Sequence, residues 1–452
     1  MDDVAAASST AIPQQHKKSR QAGNGEINKL LDHDRPAHDW YRFVLSFPPH
    51  LVRDYIKRFG LRHHHRVLDP FCGAGTTIVE CKKMGIPSIG IEANSFAYFA
   101  TRVKIDWSPD PDALVQHSEQ IAEVALAQLE ESGIEDNPLL SAMCHGYDAC
   151  EHLRMLDPES MQLLLANSIS PLPLHKVLVL LESIKQNADD RFEGHQRLAL
   201  ARALQLSISN LYFGPEVGVG PAKPDTPVVA AWLDRIYRMA RDLHQLRRPN
   251  QTEAAVYQAD ARCISDVLEP ESIDAVITSP PYPNEKDYTR TTRLESVLLG
   301  FIRNKSDLRL LKQNLMRSNT RNVYKIDEDD KWIASNFQIQ SLADMIERRR
   351  NELGKTSGFE RLYARVTKLY FGGMARHLED LRKVLRPGAH LAYVVGDQAS
   401  FFQVMIRTGM LLADIAQNLG YEVLCIDLFR TRLATATKEQ LREEVVILRW
   451  PG

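Results

Sequence analysis

Ser279-Pro280-Pro281-Tyr282 is the stretch whose residue types and spacing best suit chemistry. Two consecutive prolines fix φ twice and remove two N–H donors, so the carbonyls beside them are left to accept from another partner. A tyrosine ring follows at once. Rigid acceptors next to a flat aromatic face suit a planar base that carries an exocyclic NH2 group. The four residues close Ile273-Asp-Ala-Val-Ile-Thr278, a short β-branched run that predicts a buried strand ending at the proline pair. Chemistry on that amine needs a group donor bound next door.

A donor site is legible about 200 residues earlier. Arg66-Val-Leu-Asp-Pro-Phe-Cys-Gly-Ala-Gly-Thr-Thr77 predicts a short strand, a glycine turn and a helix start. Gly73 and Gly75 let the backbone approach a ligand closely, and Asp69 stands where the strand ends. A second strand, Ser88-Ile-Gly-Ile-Glu92, ends in an acid 23 residues after Asp69, placed to accept from ribose hydroxyls. The turn lacks the lysine of a phosphate loop and the third glycine of a dinucleotide fingerprint.

Together, Asp69-Pro-Phe-Cys-Gly-Ala-Gly-Thr-Thr77 and Ser279-Pro-Pro-Tyr282 resemble the S-adenosylmethionine-dependent amino-methyltransferases of DNA. A serine before Pro-Pro-Tyr resembles the cytosine-N4 branch, since adenine-N6 enzymes more often carry Asp or Asn there. The resemblance covers residues 36–104, 252–303 and 369–451, less than half of the chain. It implies an α/β class I methyltransferase sheet, Rossmann-like with an antiparallel edge, interrupted by a mainly helical insertion. It also implies S-adenosylmethionine as cofactor, held by Phe47, Pro48, Asp69, Pro70, Phe71, Gly73, Gly75, Thr76, Thr77, Glu92 and Asp260. Ser279, Pro280, Pro281 and Tyr282 are then the catalytic residues. In that scheme a base leaves the duplex, stacks on Tyr282 and donates its amine hydrogens to the Ser279 hydroxyl and the Pro280 carbonyl. The amine attacks the methyl group in line, sulfur leaves as a neutral thioether and the amine's proton passes to solvent, with no metal and no covalent enzyme intermediate. Many enzymes with this pair of motifs place the catalytic tetrapeptide first; here the donor loop precedes it.

Other readings keep the chemistry and change the substrate to adenine N6 or to a guanine amine in RNA, or keep the fold for nucleic-acid binding without catalysis. A nicotinamide dehydrogenase fits poorly, because Pro-Pro-Tyr has no role there. A carbon-5 cytosine enzyme needs a thiolate, usually in Pro-Cys, where this chain has Pro-Pro.

Length and composition agree with a multi-domain enzyme. The 452 residues are 44% apolar, with six cysteines and a net charge of −2. Expected domains are a mobile tail over 1–35, a discontinuous catalytic domain over 36–106 and 251–452, and a helical insertion over 107–250 that could recognise the target. A basic variable insert is expected over 285–368. Helices are predicted from Ala113 to Leu129, Leu174 to Ile184, Gln196 to Leu211 and Val228 to Leu246. The Gly-x-Gly in the loop 214–227 reads as a decoy with no strand before it. Tyr421 to Leu428 and Glu444 to Arg449 read as the antiparallel edge pair. The start lacks a signal-peptide pattern and no apolar run suits a membrane span. A cytoplasmic protein with reduced thiols, bacterial or nucleoid-associated, is expected.

Binding of double-stranded DNA must come from local patches, given the net charge. Seven basic residues between Phe301 and Lys325 stand against Asp307 alone. Arg290, Arg293, Arg317, Asn319 and Arg321 are the expected nucleic-acid contacts, with Asn314, Thr320 and Asn322 interleaved. Asp327-Glu-Asp-Asp330 reads as a solvated turn. Neither His63-His-His65 nor the Cys144, His145, Cys150, His152 group has the spacing of a metal site. A cognate restriction endonuclease is a further expected partner, and a chain carrying its own insert can act as a monomer.

Overall fold

The computed structural model describes residues 30–43, 46–137, 153–213, 217–247, 252–284, 286–433 and 439–452. Its strands are β1 (Val67–Asp69), β2 (Ser88–Ile91), β3 (Leu211–Phe213), β4 (Val217–Val219), β5 (Ala254–Tyr257), β6 (Ile273–Thr278), β7 (Leu385–Gly396), β8 (Glu422–Leu433) and β9 (Gln440–Arg449). Seven of them form one sheet in the order β5-β2-β1-β6-β7-β9-β8. The first five run parallel, while β9 pairs antiparallel with both β7 and β8. This is the Rossmann-like methyltransferase sheet with its antiparallel edge.

Parallel strands are covered on both faces, so they read as continuous apolar runs. β1 and β2 are buried at every position, and β6 at all but Asp274. One face packs under the helices Phe337–Glu352, Tyr363–Leu381 and Thr408–Asn418, and the other under Pro49–Arg58. Strand order reverses between β1 and β6, whose partners Val67 and Ala275 lie side by side. The crevice beyond the carboxyl ends at such a reversal is where open α/β sheets bind ligands. Here it brings together the two loops the sequence singles out.

Between β2 and β5 the chain is mainly helical: Pro111–Glu131, Pro171–Gln186, Glu193–Ala203 and Val228–Leu246. The Asp110 carboxylate caps the first of these by accepting from the Ala113 N–H at 3.1 Å. The last buries Val228, Val229, Trp232, Ile236, Met239, Ala240, Leu243 and Leu246, a stripe with helical spacing. These helices share one apolar cluster with the helices Thr76–Lys83 and Ser95–Lys104 beside the donor loop.

The expected helix Gln196 to Leu211 is corrected. It ends at Ala203, passes through a wider π turn over Leu204–Ile208, and gives way to β3. β3 and β4 form a hairpin, so a strand does precede the glycines; Gly218 stands opposite Tyr212, whose ring occupies the space a side chain would need. The expected tail also ends early. Asp34 is buried and accepts from Arg53 Nη1 at 2.7 Å, while residues 1–29 lie outside the described residues. The Cys144 to His152 group likewise lies outside them. No helix among the described residues is long and apolar enough to cross a membrane.

Candidate active site

Asp69 is the pin between the two loops. It is fully buried at the end of β1, and its Oδ1 accepts from Thr278 Oγ1 at 2.6 Å and from the Phe71 N–H at 3.2 Å. Thr77 ties the following helix to β6 by donating to the Ile277 carbonyl at 3.0 Å. The turn itself needs Gly75 at φ +77, where a Cβ would lie 2.7 Å from Thr101 Cγ2. Thr101 Oγ1 donates to the Gly73 carbonyl at 2.8 Å, and the buried Lys104 Nζ donates to the Ala74 carbonyl. The loop is therefore held from below, with its upper face left to a cavity.

That cavity has a volume of about 430 Å³, within the range of small-molecule sites. Phe47, Pro70, Phe71, Gly73, Thr76, Glu92 and Asp260 line it, and so do Ser279, Pro280, Pro281 and Tyr282. Asp69, Gly75 and Thr77 support this wall from behind; Pro48 caps the helix Pro49–Arg58. Glu92 accepts from the Gly73 N–H at 2.8 Å and the Asn94 N–H at 2.7 Å, and each oxygen keeps a second lone pair. Burial pushes the Asp69 carboxyl up to about 6 and the Glu92 carboxyl up to about 7. Asp260 is engaged by Arg262, which also bridges to Asp329. Cys72 shares the wall, but burial pushes its thiol up, the opposite of what a nucleophile needs.

On the β6 side, Ser279 Oγ donates to the Val394 carbonyl at 3.2 Å, so its oxygen lone pairs remain available to accept. The Pro280 carbonyl accepts no hydrogen bond from the described residues. The Tyr282 ring lies on Gly396 of β7, where a Cβ would come within 2.9 Å of Tyr282 Cε2. The Tyr282 N–H points to Tyr288 Oη at 3.5 Å. Burial, with Glu443 nearby, pushes the Tyr282 phenol up and keeps the ring neutral. A flat ring is thus backed by bare backbone beside the Pro280 carbonyl and the Ser279 hydroxyl, which also interacts with the Tyr282 phenol.

A family model described as DNA methylase, of the N6/N4 type, matches residues 9–101. The chain is 24% identical over 448 residues to the Type II methyltransferase M.BsoBI of Geobacillus stearothermophilus, covering 94% of this chain and 86% of that one. It is 24% identical over 467 residues to the Type II methyltransferase M.AvaI of a Nostoc species, covering 96% and 89%. A 69-residue stretch is 38% identical to the Type II methyltransferase M.MjaII of Methanocaldococcus jannaschii, covering 15% of this chain and 13% of that one. These similarities support the resemblance to the N6/N4 amino-methyltransferases of DNA.

The expected DNA contacts divide sharply. Arg290 and Arg321 line the cavity, and Arg321 is exposed. Arg293, by contrast, is engaged internally with the Thr289 carbonyl and hydroxyl and the Leu163 carbonyl. Arg317 is buried, pairs with Asp327 and donates to the Lys312, Gln313 and Leu315 carbonyls. Asn319 is buried too; its Nδ2 donates to the Lys286 carbonyl at 3.0 Å and its Oδ1 accepts from the Arg321 N–H. Arg317 and Asn319 build the segment from inside it, and Arg293 is half-buried with each of its three nitrogens already donating to the protein. The acidic stretch is corrected with them: Asp327 pairs with Arg317, and Asp329 is buried between Arg262 and Arg376. Arg303, Lys305, Arg309 and Lys325 remain exposed.

Several wall residues escaped sequence reasoning. Phe43 packs beside Gly73, Phe213 and Val217 reach the cavity from the hairpin, and Phe429, Arg430, Arg432 and Glu443 reach it from β8 and β9. Three buried polar atoms on the wall have no partner among the described residues: Arg290 Nε, Asn322 Oδ1 and Gln398 Nε2. A Gly-x-Gly after an aromatic strand was the local signal for the hairpin. Gln398 has no local signal at all.

Proposed function

We propose that the protein transfers a methyl group from S-adenosylmethionine to the N4 amine of cytosine in duplex DNA, in a site-specific reaction of the Type II kind. The carrying observation is Ser279, a neutral side chain whose proton is engaged with Val394 and whose oxygen can accept from an amine. It stands beside the free Pro280 carbonyl and the Tyr282 ring, in one cavity with the Gly73 loop and Glu92.

The residues present fit the cofactor. The Glu92 carboxylate has lone pairs left for ribose hydroxyls, Gly73 allows close backbone approach, and Phe47, Phe71 and Ala261 offer apolar surface to an adenine. When bound, S-adenosylmethionine supplies an electrophilic methyl group on a sulfonium. The protein's residues do the rest. Tyr282 offers a stacking face for the extruded base, an interaction worth about 1–3 kcal/mol. Ser279 Oγ and the Pro280 carbonyl accept from the amine hydrogens and localise the nitrogen lone pair, which is otherwise delocalised into the ring. Orientation and exclusion of water by the cavity contribute much of the rate. DNA docks against Arg290, Arg321 and the exposed Arg303, Lys305, Arg309 and Lys325, flanked by the helical insertion. The names of the relatives, each a Type II methyltransferase, support a cognate restriction endonuclease as partner.

Mass spectrometry of nucleosides from DNA incubated with protein and S-adenosylmethionine tests this directly. N4-methylcytosine is the expected product; N6-methyladenine alone would overturn the choice of base.

Cofactor binding should depend on pH. An acid with a raised folded-state pKa holds more protons in the folded than in the unfolded state. The free protein therefore loses stability as pH rises from about 4.5 to 7, and does not recover it above. Binding that draws on the ionised Glu92 strengthens over the same rise. Affinity for S-adenosylmethionine should be about tenfold weaker at pH 6 than at pH 8, for a carboxyl titrating near 7. Calorimetric titration at both pH values checks it, and equal affinities would remove Glu92 from the binding role.

A further inference from the structure

We infer that Gln398, together with Arg290, donates to the ring acceptors of the target base and makes the pocket selective for a cytosine edge. This rests on the N4-cytosine reading. Val394, Gly396 and Gln398 alternate along β7 and its extended continuation, so their side-chain positions share one face. Each of the three meets the catalytic segment or the cavity. Val394 lines the cavity and holds Ser279 through its carbonyl; Gly396 is bare beneath Tyr282; Gln398 lines the cavity next in line. The Gln398 backbone is fixed by reciprocal bonds with Ile406, 3.1 Å from its N–H and 2.7 Å from its carbonyl. Its side chain is 4% exposed, and the Nε2 donor has no partner.

Leaving a buried donor unpaired costs about 1–3 kcal/mol, so such an atom on a cavity wall points to a ligand acceptor. Arg290 Nε, from the segment that follows Tyr282, is a second unpartnered donor on the same wall. Cytosine presents N3 and O2 as adjacent acceptors beside its amine, whereas adenine has a single ring acceptor on that side. Two donors match two acceptors. The amine is held by Ser279 and Pro280, and the ring is held by Gln398 and Arg290.

The test compares wild type, Gln398→Leu and Gln398→Glu by single-turnover methylation of DNA, with nucleoside mass spectrometry and separate titration of S-adenosylmethionine. Loss of a buried donor should lower kcat/KM for N4-methylcytosine formation about 10- to 100-fold in both variants. Cofactor affinity should stay within about twofold of wild type. Wild type making N4-methylcytosine while both variants keep kcat/KM within twofold overturns this inference and leaves the proposed function standing. Wild type making only N6-methyladenine overturns both. Should the leucine variant lose cofactor binding through misfolding, the isosteric Gln398→Glu variant decides by the same criteria.

Discussion

Turnover of the Ser279→Ala variant should fall by about 100- to 1000-fold, the scale seen when one pre-positioned polar group is removed from a reacting centre. Alanine deletes the Ser279 hydroxyl and its bond to the Val394 carbonyl, but leaves the Gly73 loop and Glu92 untouched. Cofactor affinity should therefore change less than about twofold, and the loss should lie in kcat rather than KM for the cofactor. Tyr282→Ala should behave differently. It removes a stacking face worth about 1–3 kcal/mol, so part of its loss should appear as weaker DNA binding. Single-turnover methylation at saturating DNA separates the two. If Ser279→Ala retains more than a tenth of wild-type turnover, the serine is a structural tie to β7 and the amine is held by backbone alone.

Gly75→Ala should disable the donor loop. At φ +77 an L-residue is disfavoured by about 1–2 kcal/mol, and overpacking adds about 1–3 kcal/mol where the new Cβ meets Thr101 Cγ2 at 2.7 Å. Thr101 cannot rotate away without giving up its bond to the Gly73 carbonyl. A total near 3 kcal/mol is expected in urea unfolding, with cofactor affinity down more than tenfold because Gly73 N–H, which orients Glu92, moves with the loop. The second substitution Thr101→Ser removes Cγ2 and keeps the hydroxyl. It should recover about 1 kcal/mol, the part due to crowding, and leave the conformational part in place. No recovery would mean that the positive φ, with the contacts to the retained hydroxyl and Cβ of residue 101, sets the cost.

The two motifs were legible because their chemistry is local. A glycine turn after a strand and a proline pair closing another are written in consecutive residues, and so was the helical period of Val228 to Leu246. Sequence alone therefore determined the sheet class, the antiparallel pair at its edge and the two loops that face the cavity. Tertiary structure decided which polar side chains are free. Arg293 and Arg321 look alike in the chain, yet one meets the Leu163 carbonyl 130 residues away and the other is left exposed at the cavity. Gly396 matters because Tyr282 lies on it, and Asp69 because Thr278, 209 residues later, donates to it. Gln398 carries no periodicity, motif or charge that would mark it. Its unpaired donor arises only when β7 is laid beside β6, since burial and hydrogen-bond satisfaction depend on neighbours distant in sequence and not on the residue's own local pattern.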